Sequence, residues 1–210
     1  MDENEIKEIN LDDLVEAMVE NVKDDIKNFD DIVNIEGSLN REIPIGEIND
    51  GLGASVDAYI RYWNKQDGDM PVGERKPIKL YIDSCGGSLS DTFTIIDSIK
   101  LSKTPVIGIC SGVAYSGGFF ILIACDKRIG YPHSTYLFHE GATANQGTSG
   151  QFENYTAFYK KLLEKLKNHV LETTKIDEDE YKTIKREDIW YDAKEALEKG
   201  IIDEITGEFV

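Results

Sequence analysis

Two hydrophobic periods alternate along the chain. Leu11, Leu14, Val15, Met18, Val19, Val22, Ile26 and Phe29 recur at steps of three and four with acids between them, which predicts an amphipathic helix. Its apolar stripe must cover its own core, a neighbouring subunit or a partner, and packing is the commoner use of such a stripe. Residues 41–48 read as a short strand in which Pro44 is tolerable at an edge. Residues 54–63 step helically again, and 64–76, rich in Asp, Gly and Pro, read as a surface loop.

Strand, glycine turn and helix then succeed one another twice. Residues 79–82 predict a strand ending in Asp83-Ser-Cys-Gly-Gly87, with helical periodicity over 92–99. Residues 104–110 are short, apolar and β-branched, the turn around Ser116 is crowded with small residues, and 119–124 are hydrophobic all round, as a helix packed in the interior requires. A further strand at 135–138 ends at His139. Tyr155, Phe158, Tyr159, Leu162, Leu163, Leu166 and Val170 line one side of a long helix beginning near Gln151, and their stripe predicts packing. The 141–150 link reads as a loop or an irregular edge strand, and 176–188 as an acid-rich stretch. A last amphipathic helix over 193–199 ends at Gly200 in the C′ position. Such alternation predicts an α/β fold with a mainly parallel sheet, whose site lies at the carboxyl ends of the strands. Gly87, Ser116 and His139 all fall at such ends.

At 210 residues the chain is long enough to bury a core without disulfides or metals. Thirteen Asp or Glu against three Lys in residues 1–40 mark an acidic arm, so the expected division is 1–40 helical arm and 41–210 folded domain. A net charge of −17 with no basic stripe argues against nucleic acid as a partner. Cys85, Cys110 and Cys125 are odd in number and sit in small or apolar contexts that read as buried, fitting a reduced cytosolic protein. No metal-ligand spacing occurs, and no apolar span long enough for a membrane or an export signal, so the expectation is a cytoplasmic protein without metal or cofactor.

A serine hydroxyl needs a neighbouring base, and His139 is suited to that role because imidazole titrates near neutral pH. The imidazole needs an orienting carboxylate, for which Asp177, Asp179, Asp188 and Asp192 are all candidates by sequence. An oxyanion wants backbone donors, and the N–H groups of Gly87 and Gly117 are candidates. The bland alternative is that Ser116 merely caps a helix.

With those residues in place the chain from about residue 41 to 203 resembles the proteolytic subunit of the Clp protease, the ClpP family of serine peptidases. The resemblance rests on Ser84-Cys-Gly-Gly87, Gly112-Val-Ala-Tyr-Ser-Gly-Gly118, Phe138-His-Glu-Gly141, the helix from Gln151, and Asp188 ahead of Ala193-Lys-Glu-Ala-Leu-Glu-Lys-Gly-Ile-Ile-Asp203, five motifs in register. It implies a ClpP/crotonase-like fold of repeated ββα-type units with a protruding handle helix. It implies Ser116 as nucleophile, His139 as base, Asp188 as the third triad member, and Gly87 and Gly117 as oxyanion donors. It further implies that Gly86, Ser88, Gly141, Ala142 and Thr143 bind an extended polypeptide substrate, the 141–147 stretch by strand addition. A homo-oligomer of stacked rings and an ATP-dependent unfoldase partner are implied by the same resemblance.

Cys85 replaces the family's usual proline, Gly117 its methionine, and Glu140-Gly141 its Gln-Pro. Glu187 stands where the family commonly carries an arginine that couples ring contacts to the triad, and the acidic arm differs from the family's short axial loops. Phage head-maturation proteases also resemble this family, and there an acidic arm would serve assembly. The competing readings are an inactive assembly or adaptor subunit and a crotonase-type acyl-CoA enzyme, which shares the two-donor oxyanion site but for which no basic clamp is evident. A Ser-Lys signal-peptide peptidase lacks a lysine placed by any recognisable motif.

Overall fold

Strands β1 (Glu42–Ile45), β2 (Ile78–Ser84), β3 (Val106–Tyr115), β4 (Lys127–Gly130) and β7 (Glu204–Ile205) lie side by side in the order β1-β2-β3-β4-β7, all parallel. This is a computed structural model that describes residues 37–141, 143–144, 146–184 and 187–210. The helix predicted across residues 11–29 lies outside them. Strand β5 (Thr135–Phe138) pairs parallel with the far half of β3, and β6 (Ile189–Asp192) pairs antiparallel with β5. The mixed α/β architecture with a mostly parallel sheet is the one expected from sequence.

Strand β2 shows why the sheet forms. Ile78, Leu80, Ile82 and Ser84 are buried while Lys79, Tyr81 and Asp83 are not, the period-two alternation of a half-buried strand. Helices α1 (Leu52–Asp67) and α2 (Leu89–Leu101) pack on each other, and α2 packs on α3 (Gly117–Leu122). All six residues of α3 are buried, as its unbroken apolar run requires. Helix α4 (Ser149–Thr173), α5 (Glu178–Ile184) and α6 (Ala193–Glu198) complete the domain. Gly200 comes after the last with φ 65, the left-handed C′ geometry that glycine supplies at little cost.

Several boundaries differ from the sequence reading, each for a physical reason. Helix α1 runs on to Asp67, into the predicted loop, because Asp67 is buried against Arg41, whose guanidinium grips it with two bonds of 2.6 and 2.9 Å. Strands β4 and β6 were not predicted, since Lys127-Arg-Ile-Gly130 and Ile189-Trp-Tyr-Asp192 are too short and mixed to show a period. A helix, α5, occupies part of the acid-rich stretch. Cys85 is exposed, against the expectation for all three cysteines, because the alternation that turns Ser84 inward carries its neighbour out. The stripe of α4 is only partly used for packing within the chain: of its residues Leu166 and Val170 are buried, but Phe158 is more than half exposed, as is Phe152 one turn before the stripe.

Candidate active site

The carboxyl end of β3 carries Ser116. The strand does not stop near residue 110 as its apolar run suggests; it continues to Tyr115. Up to Cys110 it pairs with β4, and from Val113 onward with β5. The change of neighbour happens at Ser111-Gly112, where the register against β2 also shifts, from Ile82↔Cys110 to Ser84↔Ala114. Irregularities of this kind bend a strand and re-aim the residues beyond the bend. Ser116 is among them, and its N–H donates to the Leu137 carbonyl at 3.0 Å.

Ser116 has φ 51 and ψ −116, a left-handed-side conformation unusual for a residue with a Cβ. Holding it there costs on the order of 1–3 kcal/mol, which the surrounding bonds must offset. It occupies the N-cap position of α3, yet its side chain makes no cap bond. The plain capping role is therefore not the one it plays, and a sharp strand-to-helix turn presenting a hydroxyl is the geometry hydrolases use for a nucleophile.

The loop after β2 passes under this turn. A Cβ on Gly86 would stand 2.7 Å from the Ser116 Cβ, so only glycine allows the approach. Ile48 N–H donates to the Gly86 carbonyl at 3.0 Å, and Ser88 N–H donates to the Ile48 carbonyl at 2.7 Å. In that parallel bridge Gly87 directs its own N–H and C=O away from Ile48. Its φ of 146 and its contact with the Ile48 carbonyl leave no place for a side chain. Gly86 and Ser88, both expected to bind substrate, have their backbone groups engaged within the chain: Gly86 N–H donates to Ser84 Oγ at 3.1 Å, and the Ser88 carbonyl accepts from Thr92 N–H at 3.0 Å. Gly87 is the member of this trio whose backbone faces outward.

Gly117, the other candidate donor, begins α3, where helix N–H groups have no intrahelical acceptor. A Cβ there would meet Thr92 Oγ1 at 2.6 Å and Ile48 Cδ1 at 2.7 Å. Those two side chains occupy the space that a larger residue at this position would need.

His139 comes directly after β5, and Asp188 directly precedes the antiparallel β6. The ladder pairs Phe138 with Ile189, so its next step sets His139 opposite Asp188. His139 Nδ1 lies 3.5 Å from Asp188 Oδ1, with the histidine side chain 30% exposed and the aspartate 59%. The other sequence candidates are engaged elsewhere. Asp177 Oδ1 accepts from the N–H groups of Asp179 and Glu180 at the start of α5, Asp179 pairs with Lys182 at 2.8 Å, and Asp192 caps α6 by accepting from Lys194 and Glu195 N–H.

Beyond His139 the chain is tied to α4. Tyr159 Oη donates to the Glu140 carbonyl at 3.4 Å, and the Thr143 and Tyr155 hydroxyls are 2.6 Å apart. Gly141 is exposed with φ 75; Ala142 lies outside the described residues. No strand is formed here among the described residues, and α4 begins at Ser149, inside the predicted link. Burial pushes the Cys110 thiol up to about 12 and raises Cys125 further, so both stay protonated near neutral pH and offer no thiolate. Among the described residues no group of three or more His, Cys, Asp and Glu is placed to hold a metal ion, and no helix is long and apolar enough to cross a membrane.

The sequence reading missed Ile48 as the anchor of the Gly86–Gly87 loop and the Leu137 carbonyl as the acceptor for Ser116. Both act through backbone groups, which leave no side-chain signature.

A parallel α/β sheet with a serine, a histidine and an aspartate at neighbouring strand ends is an arrangement used by Ser-His-Asp hydrolases. The Clp protease family model matches residues 45–208. The ATP-dependent Clp protease proteolytic subunit 2 of Treponema denticola is 32% identical over 184 residues, covering 86% of this chain and 89% of that protein. Proteolytic subunit 2 of Prochlorococcus marinus is 32% identical over 163 residues, 76% of this chain and 78% of its own. Proteolytic subunit 3 of Parasynechococcus marenigrum gives the same identity over 164 residues. The chain belongs to the Clp protease family.

Proposed function

We propose that the chain is a Clp-type serine endopeptidase, hydrolysing peptide bonds of unfolded proteins or peptides within a homo-oligomeric chamber. The observation that carries this reading is the convergence at three strand ends: Ser116 bonded through its N–H to the strand that delivers His139, and His139 3.5 Å from Asp188. Ser116 Oγ attacks the scissile carbonyl while His139 takes its proton and later returns it to the leaving amine. Asp188 holds the imidazole in the tautomer that leaves the other ring nitrogen free to accept, and stabilises the imidazolium. The N–H groups of Gly87 and Gly117 receive the developing oxyanion. The extended substrate lies between the outward backbone of Gly87 and the 141–143 loop, pairing by strand addition. Feeding by an ATP-driven unfoldase, stacking of rings and a cytoplasmic location belong to the same reading, supported by family membership.

A second reading is a subunit whose triad becomes competent only on assembly. It is favoured by the 3.5 Å His139–Asp188 separation and the 59% exposure of the Asp188 side chain, both loose for a working triad. Hydrolysis of short fluorogenic peptides, measured for wild type beside Ser116→Ala with oligomer mass on the same samples, separates the two. Activity lost in the variant and carried by a large oligomer supports a serine peptidase working in a chamber; small species that an activated-serine probe still labels support the first reading, and small species that it leaves unlabelled support the second. Turnover retained by Ser116→Ala overturns both.

A further inference from the structure

The irregularity in β3 that aims Ser116 is held by a side chain outside the proposed triad and oxyanion site. Between Cys110 and Ala114 the ladder to β2 is interrupted, because three residues of β3 stand against the single Asp83 of β2. At that interruption Asp83 Oδ1 accepts the Val113 N–H at 3.0 Å. The carboxylate also fills the space beside Gly112, where a Cβ would collide with Oδ1. Val113 is the first residue of β3 to pair with β5, and three residues later the Ser116 N–H reaches Leu137. Toward its own carboxyl end, Asp83 leads into Ser84, Gly86 and Gly87, the loop lying against Ser116. One carboxylate thus bridges the strand that carries the serine and the strand that carries the oxyanion loop.

We propose that Asp83 is a positioning residue, fixing the distance between the Gly87 donor and Ser116 by bonding Val113 across the β3 irregularity. The proposal rests on the serine peptidase reading. Asp83 touches neither substrate nor the reacting atoms; it acts through Val113 and Gly112. What it supplies is one acceptor oxygen at one place, so the geometry matters and the charge does not. Asparagine keeps that oxygen, alanine removes it, and glutamate keeps the charge but moves the oxygen by one methylene.

The test measures kcat, KM, melting temperature and acylation by a fluorophosphonate probe for wild type, Asp83→Ala, Asp83→Asn and Asp83→Glu, with Ser116→Ala as the inactive reference. Misplacement on the ångström scale costs on the order of a hundredfold in rate. The expected result is therefore a kcat fall of about ten- to a hundredfold in Asp83→Ala and Asp83→Glu, with KM within about twofold. Asp83→Asn should stay close to wild type. Wild-type kcat in Asp83→Ala overturns the proposal, as does activity retained by glutamate and lost by asparagine, which would make the charge the operative feature. Where Asp83→Ala does not fold, the asparagine and glutamate pair decides by the same criterion. Wild type that neither turns over peptide nor takes the probe is failure of the peptidase reading instead. Amide exchange over residues 111–118 then decides the tether alone: faster exchange in Asp83→Asn than in wild type, or equal exchange in Asp83→Glu, overturns it.

Discussion

At the level of single residues, the candidate site is defined by what each position has no room for. Gly117 shows this most plainly. Resemblance to the family predicts a methionine there, and its loss suggests an emptier pocket. Thr92 and Ile48 instead occupy that space, and Thr92 Oγ1 is itself fixed, donating to the Ser88 carbonyl at 2.8 Å. Gly117→Ala should therefore displace the loop that carries Gly87 through Ile48, lowering kcat by about a hundredfold if one oxyanion donor is lost. Peptide turnover and probe acylation, read beside the melting temperature, check it, and an unchanged kcat would mean the loop absorbs the methyl group. The four candidate aspartates separate in the same way. Asp188→Asn should keep the melting temperature and lose about four orders of magnitude in turnover through the wrong imidazole tautomer. Asp192→Ala should do the reverse: it removes the N-cap of α6, costing about 1 kcal/mol of stability, and leaves turnover intact. Paired melting and kinetic measurements on the two variants decide the assignment, and a kinetic loss in Asp192→Ala would reverse it.

Among elements, legibility tracked period and length. Strand β2 and helix α2 were readable because their apolar positions repeat at two and at three to four residues, and α3 because its run is unbroken. Strand β3 was readable only as far as Cys110. Beyond it Ser111-Gly112 carries the signature of a turn, and the partners that make it an irregularity within a longer strand, β5 and Asp83, lie elsewhere in the sequence. Ser116 and His139 were legible as candidates, Ser116 in a small-residue turn between two apolar runs and His139 at the end of one. Asp188 was legible only through family resemblance, since the antiparallel β6 that sets it opposite His139 has four residues and no period. Helix α1 was underestimated for a related reason. Its last residue, Asp67, is polar by type but buried by partnership, with Arg41 beside it and Thr104 Oγ1 donating to its carboxylate at 2.5 Å. The bonds from Arg41 hold the Asp67 carboxyl below the usual carboxylate range. A depressed aspartate contributes stability that is fully present above its unfolded value near pH 3.9 and is lost as pH falls through the lower folded value. Wild type should thus lose stability on acidification through that window, and Asp67→Asn should show a shallower loss there. At neutral pH the same variant should be less stable by about 1–3 kcal/mol, because the partly buried Arg41 loses its charged hydrogen-bond partner. Denaturant unfolding of both proteins between pH 2 and 7 checks the sign, and parallel curves would remove Asp67 as the cause.

For the whole molecule, the question is what the amino-terminal half of α4 is for. A helix of 25 residues is about 38 Å long by its rise, yet only Leu166 and Val170, both in its last third, are buried. Phe152 is 53% and Phe158 55% exposed, and Tyr155 stacks on Tyr159 with ring centroids 6.1 Å apart. Aromatic side chains left in water on a well-formed helix mark a contact surface rather than a core. The proposed homo-oligomer supplies the occupant: a second copy presenting the same stripe, as an isologous two-fold contact requires. Phe152→Ser with Phe158→Ser should accordingly shift the protein to smaller species by mass and leave the unfolding of the protomer nearly unchanged, whereas Leu166→Ala should destabilise the protomer itself by about 2–5 kcal/mol. The bonds from Tyr159 to the Glu140 carbonyl and between Tyr155 and Thr143 connect this surface to the site, because the residues that would meet a second copy lie beside those that hold the chain after His139. Dissociation by the double serine variant should therefore lower peptide turnover while the fluorophosphonate probe, which needs no extended pairing, still labels Ser116. Labelling lost in step with turnover would show instead that assembly orders the triad, as the second functional reading requires.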